Sequence, residues 1–202
     1  PGFKADMKLL FSAPALLCMM FFAFLAAGQM GPQWFADKAY YLAHNVPVLL
    51  GNSYISMFVV GIIVGVLAGG IVADKARDHL KLAFFSFFLS GVGMILMAVV
   101  PPISILIYPL FIVTGFLFGF GFSSRDIVVS SLAPPESSGK VFGFVFSGLD
   151  IGAAGIPIVY GYLIGASLPL ELFYLSGALI ILAGVSVVIA GRSAAARLGE
   201  TS

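Results

Sequence analysis

The chain alternates long uncharged apolar runs with short polar breaks. No residue carries charge from Leu9 to Ala36, from Pro47 to Ala73, from Leu82 to Val100, or from Leu172 to Gly191. Ile103 to Ala133 is interrupted only by Arg125 and Asp126, and Gly139 to Gly165 carries Lys140 at its start and Asp150 inside. An α-helix needs about 20 apolar residues to cross a hydrocarbon core of ~30 Å. Backbone groups in lipid must be satisfied within the segment, so helices are the default. No alternating pattern of about ten residues suggests a barrel. The pattern predicts an all-α membrane protein with six spans, at 9–31, 47–73, 82–100, 103–133, 139–165 and 172–191. A mixed segment holding Trp34, Asp37, Lys38, Tyr40, Tyr41 and His44 reads as a connection. The other breaks are DKARDHLK (Asp74 to Lys81), Pro101-Pro102 and Pro134 to Ser138, where proline forces a turn.

Composition agrees. The 202 residues are 60% hydrophobic and 9% charged, against about 25% charged in a soluble domain. Too few charges remain to cover a water-facing surface, so the solvent is lipid. The net charge of +1 gives no reason to expect a nucleic-acid partner. Cys18, the single cysteine, has no disulfide partner and no nearby histidine, so it reads as packing. No metal and no cofactor is expected. The chain opens on Pro1-Gly2 with no cleavable leader pattern, which suggests the interior of a longer protein.

An even number of spans puts both ends on one side. Lys4, Lys8, Lys75, Arg77, Lys81, Lys140, Arg192 and Arg197 fall on that side, and only Lys38 lies opposite. Positive charge marks the cytoplasmic face, and Trp34, Tyr40 and Tyr41 suit an aromatic belt at the outer interface.

Helices in lipid associate through small residues that let backbones approach. Gly61, Gly65 and Gly69 recur at spacing four in the second span, Gly115 and Gly119 in the fourth, and Gly177, Gly184 and Gly191 at spacing seven in the sixth. In the fifth, Gly139, Gly143, Ser147, Asp150, Ala154, Pro157 and Gly161 share one stripe, which predicts that Asp150 lies on a packed face. Arg125 and Asp150 sit at matched depth, about 13–15 Å from the turn between their spans at 1.5 Å per residue. An unpaired charge there is costly, so the expectation is an Arg125–Asp150 pair across adjacent antiparallel helices, either a fixed strut or a titrating switch. Ser123, Ser124, Asp126, Ser130 and Ser131 share an arc of about 160°, suited to a watery cavity, and Arg125 points away from it.

Two motifs carry a resemblance. GGIVADKAR (Gly69 to Arg77) resembles, through Gly70, Asp74 and Lys75, the cytoplasmic loop motif G-x-x-x-D-[RK]-x-G-R of the major facilitator superfamily. It departs where Arg77 replaces the usual Gly and Asp78 the usual Arg. LAPPESSGKVFG with SGLDIGAAGIPIVYGYLIG resembles that family's P-x-x-x-x-G turn and its Gly/Pro-rich eleventh helix. The resemblance covers nearly the whole chain and implies helices seven to twelve, half of a transporter built from two three-helix inverted repeats. It implies a missing N-terminal six-helix half as partner, a small-molecule substrate and protons as cargo, and a bacterial inner-membrane location. Gln29, Gln33, Asp126 and Ser130 become cavity candidates. Gly70, Asp74, Lys75 and Arg77 become a gating loop, with Asp74 at a helix N-terminus. The expected function is proton-coupled secondary transport of a small organic solute by alternating access. The alternative is a non-transporting scaffold or sensor on the same fold. No HExxH occurs, no nucleotide loop follows a strand, and the Asp in SGLDIG lacks the preceding Gly of intramembrane aspartyl proteases, so no enzyme is expected.

Overall fold

The computed structural model describes residues 7, 10–76, 78–131 and 138–199, without the side chains at 14, 128, 130, 131, 138 and 194–199. Six helices follow one another: α1 Ala13–His44, α2 Val48–Ala73, α3 His79–Val99, α4 Ile107–Ser131, α5 Ser138–Gly165 and α6 Glu171–Gly199. Each is long and apolar enough to cross a membrane, and there is no strand among the described residues. Positions 1–6, 8, 9, 77, 132–137 and 200–202 lie outside the described residues, so Lys4, Lys8 and Arg77 are not placed.

The first helix differs most from expectation. It runs through Pro32 and on to His44, about 48 Å at 1.5 Å per residue, so the mixed segment is helix and not a connection. Ala36, Ala39 and Tyr40 turn inward while Trp34, Lys38 and Tyr41 turn out, which is the helical period of a half-buried segment. Counting charges finds where a helix leaves hydrocarbon, not where it ends. The end comes at Asn45, whose backbone is left-handed at φ 54° and ψ 31°, a conformation asparagine tolerates better than most residues. Its N–H donates back to the Tyr41 carbonyl at 2.9 Å, and the N–H of Val46 to the Tyr40 carbonyl at 3.3 Å.

The packing order does not follow the chain order. α2 lies along α4, α1 along α5 and α6, and α3 along α4 and α6. α4 and α5, neighbours in sequence, do not pack along their described lengths. Exchanging α1 with α4, α2 with α5 and α3 with α6 turns the α2–α4 contact into α5–α1 and the α1–α6 contact into α4–α3. This pattern is consistent with two three-helix repeats.

Lipid supplies little hydrophobic drive between helices, so close approach has to hold them. A Cβ on Gly61, Gly65 or Gly69 would collide with α4 backbone at Ile112, Phe116 and Phe120, and one on Gly115 or Gly119 with α2 backbone at Phe58 and Ile62. These glycines are the seam. Gly177, Gly184 and Gly191 all face α3, against Gly91, Phe84 and Leu80 in turn, as their spacing of seven predicts. Between the seams lie Phe21, Phe22, Phe87, Phe118, Met94 and Met97, all at most 1% exposed. Three tyrosines tie elements together through their hydroxyls: Tyr40 donates to the Met97 carbonyl of α3 (2.8 Å), Tyr160 to the Ala27 carbonyl of α1 (3.0 Å), and Tyr54 to the Pro102 carbonyl in the turn between α3 and α4 (2.8 Å).

Candidate functional site

Arg125 sits on α4 within two turns of its end at Ser131. Its Nε–H donates to the Asp126 carboxylate at 2.8 Å. The guanidinium centre lies 4.2 Å from the Phe122 ring centroid on its own helix and 5.1 Å from that of Phe22 on α1. A planar, weakly hydrated guanidinium suits such a place, because ring faces stabilise it where water does not reach. The Arg125 side chain is 11% exposed and that of Asp126 55%. The cation is thus enclosed behind the carboxylate, and what the pair presents outward is a carboxylate oxygen, a site for a proton or a cation.

The expected Arg125–Asp150 pair is not formed. Asp150 is exposed and makes no ion pair with Arg125. Two causes are visible. The helices carrying them do not pack, and α5 is rotated away from the expected setting. Its packed stripe is Gly148 and Gly152, whose backbones lie against Met19 and Ala23 of α1. Asp150 stands roughly 200° from each, at 100° per residue, and so points to the far side. Gly139, Gly143, Gly155, Gly161 and Gly165 have nothing within 4 Å of a built Cβ, and Pro157 is exposed. Ser147 bonds only locally, donating to Phe144 at 2.6 Å. Among the described residues, Gly143 and Gly161 therefore face open space, Pro157 is exposed and Ser147 is half-buried. α5 carries two small-residue stripes, and spacing alone does not choose between them.

The expected serine face divides as well. Ser124 is fully buried and its hydroxyl lacks a partner, so it faces the bundle and not a watery cavity. The side chains of Ser130 and Ser131 lie outside the description. Nor does Arg125 turn away from Asp126. Side chains one residue apart leave the helix about 100° apart, but the long arginine stem reaches back.

Gln29 and Gln33 come together, Nε2 to Oε1 at 3.3 Å, both half-buried. Because α1 reaches His44, Gln29 stands midway along it and not near the outer interface. Phe22, Gln29 and Gln33, seven and four residues apart, share one face of α1. Only apolar residues and a glycine separate Phe22 from Gln29, and Gln33 borders a void of about 10 Å³ with Ile55, Phe58 and Phe111.

In the expected gating loop Asp74 and Lys75 are exposed, a Cβ on Gly70 would meet only the Ser123 hydroxyl at 3.7 Å, and Arg77 is not described. Asp74 follows the end of α2, its own N–H bonded to Gly70, so it does not sit at a helix N-terminus. Asp78 does: it caps α3, accepting from the Lys81 backbone N–H at 3.0 Å and pairing with Lys81 Nζ at 2.9 Å. The hydrogen bonds from Lys81 hold the Asp78 carboxyl below its ordinary 3.8. The capping role of Asp78 was legible as an acid three residues before Lys81. The ring partners Phe22 and Phe122 were not, among 20 phenylalanines.

Comparison with known families matches residues 16–200 to the Major Facilitator Superfamily. No curated protein matches the chain.

Proposed function

The chain belongs to the Major Facilitator Superfamily, which points to a membrane transporter and not an enzyme, and from that premise we propose that its six helices are one half of a secondary active transporter. A second six-helix half covers the open side of α5, and a small organic solute crosses between the halves by alternating access, coupled to protons. The observation that carries this reading is Asp150, an exposed carboxyl halfway along a membrane span, on the face of α5 that it shares with Gly143 and Gly161, where a Cβ would meet nothing among the described residues. A carboxyl facing hydrocarbon at that depth is costly, so α5 needs a polar cover. Asp126, held from behind by Arg125, is the second proton candidate. Gln29, Gln33 and Ser130 belong to the same proposed cavity, and Asp74 and Lys75 to a gating loop with Arg77. Both ends of the chain lie on the cytoplasmic side of a bacterial inner membrane, a placement supported by the cation count across the two faces.

The test is transport by the complete protein in sealed vesicles under an imposed pH gradient. Asp150→Asn and Asp126→Asn are compared for gradient-driven accumulation and for solute exchange without a gradient. Loss of accumulation with retained exchange in either variant supports coupling. Undiminished accumulation in both rejects it.

A further inference from the structure

A cavity of about 350 Å³ opens between the start of α3 and the last described turns of α6, away from the candidate site. That volume falls within the range of ligand clefts, about 300–1,000 Å³. The two helices are antiparallel here, and Gly191 seats against Leu80. This sets Lys81 and Arg192 at one level, and both line the cavity with Asp78. Its walls below them are Phe84, Phe85 and Val188. On each helix the cation stands one turn from outward apolar residues. Lys81 is followed by Phe85 (57% exposed) and Leu89 (47%), and Arg192 is preceded by Ile189 (47%) and Val185 (38%). The cavity thus has a charged mouth at the end of two membrane spans and an apolar throat that continues along their outer surface.

We infer that this crevice is a binding site for one anionic phospholipid of the adjoining leaflet. Its phosphate meets Lys81 and Arg192, and an acyl chain lies along Phe85 and Ile189. The charge at the mouth is complementary, two cations to one carboxylate. The Asp78 contact occupies part of the Lys81 ammonium but leaves donors on it, since an ammonium has three. Arg192 is exposed, and its guanidinium offers a two-pronged match to phosphate oxygens. Basic crevices between membrane helices at the face richest in Lys and Arg are suited to anionic headgroups. The apolar throat selects a lipid over a free phosphate, because a soluble anion gains nothing from Phe84, Phe85 and Val188.

The chain in a mild detergent is exposed to equimolar phosphatidylglycerol and phosphatidylcholine, and bound lipid is counted by native mass spectrometry. The expected result is retention of one phosphatidylglycerol in preference to phosphatidylcholine. Lys81→Gln and Arg192→Gln each lower that preference about five-fold, the worth of one cation at an anionic surface. Arg192→Lys keeps most of it. Lys75→Gln with Lys140→Gln, which removes two cations elsewhere on the same face, leaves it in place. Val188→Trp fills the throat without changing charge and lowers retention of the lipid. Equal retention of the two lipids, an unchanged preference in the Lys81/Arg192 double variant, an equal fall in the Lys75/Lys140 control, or displacement of the lipid by millimolar glycerophosphoglycerol would each overturn the inference.

Discussion

The glycine seam between α2 and α4 makes the sharpest prediction, because one substitution should act differently on two faces of the bundle. A Cβ built on Gly65 lies 2.9 Å from both the Phe116 carbonyl carbon and the Phe120 amide nitrogen, whereas ordinary contact begins at 3.4 Å. Backbone atoms cannot rotate aside, so Gly65→Ala must part the helices by about 0.5 Å or more. A gap of 0.5–1 Å forfeits a quarter to a half of each dispersion contact of ~0.1–0.2 kcal/mol. If roughly 20–40 atom pairs are disturbed, the loss is about 0.5–4 kcal/mol, which brackets the usual ~1–3 kcal/mol for overpacking. Gly143→Ala on α5 adds the same methyl where nothing lies within 4 Å. It keeps only the intrinsic helix preference for Ala over Gly, up to about 1 kcal/mol in its favour. The assay is reversible unfolding of this chain in mixed micelles, with helix content as the signal. The expected result is destabilisation by Gly65→Ala and none by Gly143→Ala. If Gly65→Ala costs no more than Gly143→Ala, the packing argument for the seam is wrong. In the complete protein the proposed second half covers α5, so Gly143→Leu should be tolerated by this chain alone and should lower the stability of the whole.

Three further outcomes follow from the geometry. Arg125→Met removes the bond to Asp126 and the contacts with Phe122 and Phe22, and should destabilise the bundle by about 1–3 kcal/mol, while Asp150→Asn should stay within about 0.5 kcal/mol; the same unfolding assay compares them, and equal losses would restore an Arg125–Asp150 strut. Tyr160→Phe takes away the donor to Ala27 and the 3.0 Å contact with Ser176, and should cost about 1–3 kcal/mol, with faster amide exchange where α1, α5 and α6 meet. The Asp78 carboxyl is held below its ordinary value by Lys81, so its capping contribution is present at neutral pH and is lost as pH falls through that lowered value. Amide protection at 79–82, relative to the intrinsic exchange rate at each pH, should therefore fall at acid pH in the parent chain and be low at every pH in Asp78→Ala.

Sequence alone was enough for the number of helices, the lipid environment and the family. Each rests on a one-dimensional quantity: the length of an uncharged run, the shortage of charge, or a short motif. The glycine spacings of α2, α4 and α6 were also legible, since spacing four or seven on a helix leaves one face to offer. What the tertiary arrangement decided is which faces meet. α4 and α5 follow one another in the chain, yet each packs against a helix from its first half, so Arg125 and Asp150 do not meet. α5 has two stripes of small residues, and only the position of α1 selects Gly148 and Gly152 and leaves Asp150 outward. Arg125 turns to its own neighbour, Asp126, because the ring of Phe22 arrives from α1 to close over it. Helical period fixes angles around one axis, and a partner for a buried charge depends on how several axes are placed. That placement is set by the summed close packing of all six helices.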